Sequence, residues 1–109
     1  MEKVTVIEAG SVVFSRAGRD GGRYYVVVKA GEKPGFVFIA DGEYRKLEKP
    51  KLKKIKHLRI SGVVLEKLKN KFAEDKTVFD AEIRSALRPY NEKKAEEAKE
   101  NDGISKDGD

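Results

Sequence analysis

Cysteine and tryptophan are absent from the chain's 109 residues, and histidine occurs once, as His57. Without thiols there can be no disulfide and no thiolate metal site, and one imidazole cannot build a zinc centre by itself. Long apolar runs are missing too. None approaches the roughly 20 residues of a membrane span, and the start, MEKVTVIEAG, lacks the basic opening and continuous apolar stretch of a secretory signal. A soluble, cytoplasmic protein is the expectation. Also absent are a Ser/His/Asp order, a Walker loop and a metal-ligand cluster. The chain therefore reads as non-catalytic, with no cofactor and no small-molecule substrate.

What the chain has in excess is charge. Charged and apolar residues each make up 39% of it, enough for one small core and a heavily solvated surface. The net charge of +5 is unevenly spread. Residues 1–60 carry 14 Lys/Arg against 7 Asp/Glu, residues 61–91 carry 6 against 5, and residues 92–109 carry 4 against 7. The positive field belongs to the first half, which suits a polyanionic partner, with nucleic acid the first candidate and an anionic membrane surface the second. The acidic end, 92–109, has no apolar face to bury and is expected to be disordered.

Strand signals fill residues 1–60. KVTVIE, SVVFSR, RYYVVVKA and GFVFIA are rich in β-branched and aromatic residues. In the last two the apolar residues are consecutive, so both faces of those strands must be covered, as in a small closed barrel with a helix over its outside. Asp20-Gly21 and Asp41-Gly42 are dipeptides favoured in type I′ turns, so FVFIADGEYRKL is expected to form a tight hairpin with Asp41 in its turn. Phe36 and Phe38 share a face and read as core. From Ser61 the period changes: Val64, Leu68 and Phe72 recur every four residues and predict a helix. Thr77 and Asp80 have capping-box spacing for a second helix, with Phe79, Ile83, Leu87 and Tyr90 as its buried stripe and Pro89 limiting its length.

Two stretches carry candidate binding chemistry. In SRAGRDGGR, the glycines allow close backbone approach, while Arg16, Arg19 and Arg23 can each make bidentate contacts to phosphate. The alternative for this turn is a plain hairpin kept soluble by its arginines. In residues 45–59, eight Lys/Arg meet one acid. Edge protection needs only one or two lysines, so a run this dense points to a neutralising polyanion. It contributes Arg45, Lys46, Lys49, Lys51, Lys53, Lys54, Lys56, His57 and Arg59. Tyr24 and Tyr25 face opposite ways on a strand; Tyr24 either packs in the core or stacks on an unpaired base.

Gly10, the pair Val12-Val13, the turn SRAGRDGGR with Gly22, and the following YYVVV resemble the KOW motif, two strands and their connecting loop. IADGEYRKLEKPKLKKIKHL is similar to the continuation in small bacterial KOW-domain proteins, which themselves resemble KOW-containing large-subunit ribosomal proteins of archaea and eukaryotes. The resemblance covers about residues 10–90. It implies an SH3-like β-barrel over residues 1–60, followed by a helical hairpin, 61–91, packed on it within the same domain. It further implies binding to structured RNA, often ribosomal RNA, through the loop Arg16–Arg23 and the basic segment Arg45–Arg59. The competing expectation is a protein-interaction module of the transcription or translation machinery that uses the hairpin or a barrel edge.

Overall fold

A computed structural model describes residues 7–16 and 21–92 of the chain. Five strands form one antiparallel sheet: β1 Ser11–Ser15, β2 Arg23–Ala30, β3 Phe36–Ala40, β4 Lys51–Lys54 and β5 Leu58–Val64, in the order β4-β3-β2-β1-β5. A single 3-10 turn, Ile55–His57, connects β4 to β5. Helix α1 spans Glu66–Ala73, and residues 80–92 form α2. Among the described residues the sheet is open, with β4 and β5 as its two edges, so they do not show the closed barrel expected from the apolar runs. Most of KVTVIE, Arg19, Asp20 and residues 93–109 of the acidic end lie outside the described residues.

The consecutive valines explain how the sheet is covered on both faces. Val12 pairs with Val26 and Val13 with Tyr25, and alternation along a strand sends adjacent residues to opposite sides. Val13, Tyr25, Val27, Val37, Ile39 and Leu58 make one core, closed by Ile7, Ile55 and Ile60. Val12 and Val26 make the other with Leu68 of α1 and Ile83 and Leu87 of α2. Each fully buried aliphatic side chain contributes about 1.5–3 kcal/mol of transfer free energy, so the helices stabilise a sheet face that water would otherwise wet.

Several boundaries differ from the periodic reading. Ser61–Val64 belong to β5, where Val64 pairs with Ser11, and the helix begins only at Glu66. Ladder bonds to β1 outweigh a four-residue period that Val64 shared with Leu68 and Phe72. Helix α1 ends in a Schellman motif: Lys76 N–H donates to Lys71 O (2.8 Å), Asp75 N–H donates to Phe72 O (3.3 Å), and Asp75 sits at φ 57°. The second helix starts at residue 80, later than the Thr77 cap predicts. Phe79 precedes it and is 62% exposed, so it is not part of the buried stripe. Pro89 does not stop this helix, which continues to residue 92, the last one described.

Glu82 supplies the reciprocal half of a capping box, accepting from Phe79 N–H at 3.3 Å. It also accepts from Lys71 Nζ at 2.6 Å, joining the two helices. The Lys71 hydrogen bond, more than the Phe79 N–H, holds the Glu82 carboxyl below its usual 4.5, against a smaller opposing effect of burial. A depressed folded-state value means the contribution is present above the unfolded value and lost as pH falls through the folded one. Substituting Lys71→Met is expected to return the Glu82 titration toward its usual position in an NMR pH series. An unchanged titration would remove Lys71 as the cause.

Candidate nucleic-acid interface

The loop between β1 and β2 is pinned at its base. Gly22 N–H donates to Ser15 O at 2.8 Å, and Arg16 N–H donates to His57 O at 3.0 Å. The second bond matters most for the site, because it ties the start of the glycine-arginine loop to the 3-10 turn that ends the lysine run. On the adjacent strands Ser15 pairs with Leu58 and Phe14 with Arg59. The Arg59 guanidinium lies 5.0 Å from the centroid of Phe14, a cation–π contact that holds its fork near the surface. Arg16, Lys56, His57 and Arg59 are all exposed. Two segments about forty residues apart thus adjoin through their backbones, bringing three exposed cationic residues and His57 into one neighbourhood. At the other end of the turn, Ile55 N–H donates to Gly35 O at 2.8 Å, carrying this neighbourhood on toward Lys54 at the exposed edge of β4.

Other predicted contacts have different employment. Arg23 Nε donates to Asp41 Oδ2 at 3.2 Å, its Nη2 lies 3.6 Å from Glu43, and its guanidinium sits 4.5 Å from the Tyr44 centroid. Its fork faces two carboxylates of its own chain, unlike the phosphate clamp expected of it. Tyr24 packs between Phe14 (centroids 5.0 Å) and Tyr90 of α2 (5.5 Å). Its backbone is held by Asn91, whose Oδ1 accepts from Tyr24 N–H at 2.9 Å. Of the two readings left open for this tyrosine, the ring's neighbours fit the core.

The basic segment is divided by the fold. Asp41 is buried, and its Oδ1 accepts from the N–H groups of Glu43 (3.0 Å) and Arg45 (2.8 Å). The expected two-residue turn at Asp41-Gly42 is therefore replaced by a ten-residue loop, 41–50. Leu47 of this loop packs with the helices, and its N–H donates to Asp80 Oδ1 at 2.8 Å. That docks half-buried Arg45 and exposed Lys46 and Lys49 beside α2. In β4, Lys51 is half-buried and Lys53 is buried at 9% exposure. A charge substitution at Lys53 would report on folding before it reported on a ligand.

Sequence reasoning missed one group. Val37 and Ile39 point into the core, so Phe36 and Phe38 lie on the opposite face, only half-buried, beside Leu52 at 45% exposure. The sequence alone does not decide this parity, because every residue of Phe36–Ala40 is apolar. Among the described residues no group of three or more His, Asp or Glu side chains could hold a metal ion.

The described helices contain no stretch long and apolar enough to cross a membrane. Compared with known proteins, the chain matches no family model, and no curated protein is significantly similar to it.

Proposed function

We propose that this chain is a non-catalytic RNA-binding protein built on an SH3-like domain of the KOW type. The observation that carries the reading is the bond from Arg16 N–H to His57 O, which merges the loop arginine with Lys56, His57 and Arg59. Supporting it are the meandering strand order, with β5 returning to pair with β1, and the 3-10 turn between the last two strands. The KOW-like loop then falls between β1 and β2, next to that turn. Arg16 and Arg59 offer bidentate forks to backbone phosphates, and Lys54 and Lys56 offer point charges. Such contacts position a protein on RNA without reading its sequence, so selectivity comes from RNA shape and from any unpaired bases.

Affinity for a structured RNA, measured by fluorescence anisotropy across a salt series, tests this. Neutralising about five phosphates gives a log–log slope of roughly −3.5 to −4.5. Arg16→Gln and Lys56→Gln are each expected to flatten that slope by about 1 and to weaken all RNA sequences alike. Both side chains are exposed, so folding is spared. No RNA binding at low salt, or a slope indifferent to both substitutions, would sink the proposal.

A further inference from the structure

The helices cover only part of the sheet's outer face. They pack on Val12 of β1 and Val26 of β2, while the outer face of β3 and β4 carries Phe36, Phe38 and Leu52. The ladder sets these side by side: Phe38 pairs with Leu52 and Phe36 with Lys54. On the β2 side, Phe38 pairs with Lys29.

The position of Lys29 is not what simple alternation dictates. Val26 faces the helices and Val27 the inner core, which would turn Lys29 inward. A register irregularity between Val27 and Lys29 resets the parity, as bulges do when they re-aim a side chain. Lys29 Nζ consequently lies 5.1 Å from the Phe38 centroid, and Lys54 Nζ lies 6.0 Å from that of Phe36. Both lysines are exposed. The rings line a groove of about 420 Å3 with Lys33 and Glu32 on its wall.

Two neighbouring aromatic rings, each with an ammonium over it, combine the two elements of single-strand recognition. A ring face accepts a base of any identity by stacking, and the cations follow the phosphates. Three lysines against one glutamate favour a polyanion over an acid-neutral peptide. The groove is also continuous in the chain with the cationic neighbourhood, because Gly35, next to Phe36, accepts the Ile55 N–H. We propose that Phe36 and Phe38 form a stacking platform for unpaired RNA bases, with Lys29 and Lys54 moving from the ring faces to the flanking phosphates. This rests on the RNA-binding reading and adds to it a preference for single-stranded segments.

The test compares full-length protein on an oligouridylate of about ten nucleotides and on an RNA duplex of equal length, at one moderate salt concentration. Phe36→Leu plus Phe38→Leu keeps the face apolar but removes the π surfaces. It is expected to lower oligouridylate affinity by about tenfold or more while duplex affinity stays within about twofold. Equal binding of wild type and variant to both RNAs overturns the platform and leaves the RNA reading standing. Wild type that binds neither RNA overturns both. Should the double variant fail to fold, Phe38→Trp decides, since the chain has no other tryptophan. Quenching of its emission by oligouridylate but not by duplex is the expected result, and no quenching by either overturns the platform.

Discussion

Replacing Asp41 with alanine is expected to destabilise the domain by about 2–4 kcal/mol, because each part-buried polar group left without its acceptor costs about 1–3 kcal/mol, while Arg23, 30% exposed, can turn to water. The carboxylate is 1% exposed and accepts from Glu43 N–H, Arg45 N–H and Arg23 Nε. Alanine removes all three acceptor contacts at once. Two loop amides then lose their partner, and the Arg23 guanidinium keeps only Glu43, whose own side chain is half in solvent. The loss spreads because the 41–50 loop also delivers Leu47 to Asp80. Total stabilities of small domains are about 5–15 kcal/mol, so the variant would be partly unfolded near physiological temperature. Urea denaturation measures the effect. Glu43→Ala serves as the control: its 3.6 Å ion pair is exposed, and such pairs contribute about 0–1 kcal/mol. An Asp41→Ala variant no less stable than Glu43→Ala would mean that Asp41 is not the hub of this loop.

The same residue shows where the sequence was legible and where it was not. Asp41-Gly42 was read as a hairpin turn because the dipeptide fits one, and the backbone does turn there, with Asp41 and Gly42 N–H groups both donating to Arg45 O. Nothing local announces that the carboxylate reaches Arg23, eighteen positions earlier. Strands β1, β2 and β3 were legible because runs of β-branched residues carry their own signal, and adjacent valines implied two covered faces. The start of α1 was not, since strand pairing between Val64 and Ser11 is a long-range fact.

The candidate site divides in the same way. A run of eight cations is visible in sequence, but which of them reach solvent depends on strand parity. That parity buries Lys53 and exposes Lys54. The junction of Arg16 with His57 depends on β5 returning beside β1, which no local pattern encodes. Phe36 and Phe38 were misread for a simple reason. Aromatic residues two apart in a strand share a face, but composition does not say which face is the core.

The second large effect is expected one residue on, for Gly42→Ala. Gly42 holds φ at +79°, and a β-carbon built there would overlap the carbonyl oxygen of Asp80 and come within 3.1 Å of Arg84 N. Both neighbours are backbone of α2, so no side chain can swing aside. Strain in the left-handed region and forced repacking each cost about 1–3 kcal/mol, giving about 2–6 kcal/mol together. Gly62→Ala separates the two contributions. Gly62 has φ +85° with nothing within 4 Å of its would-be β-carbon, so that variant carries the backbone strain alone. The excess for Gly42→Ala is the cost of lifting the helix, and it has a location. Arg84 Nη1 donates to Gly42 O at 2.9 Å, and Ile83 and Leu87 seal Val12 and Val26 from the same helix. Hydrogen exchange in Gly42→Ala should therefore rise first at the amides of α2, before those of β1 and β2. Equal destabilisation by the two alanines, with protection of α2 retained, would show that the helix does not rest on Gly42.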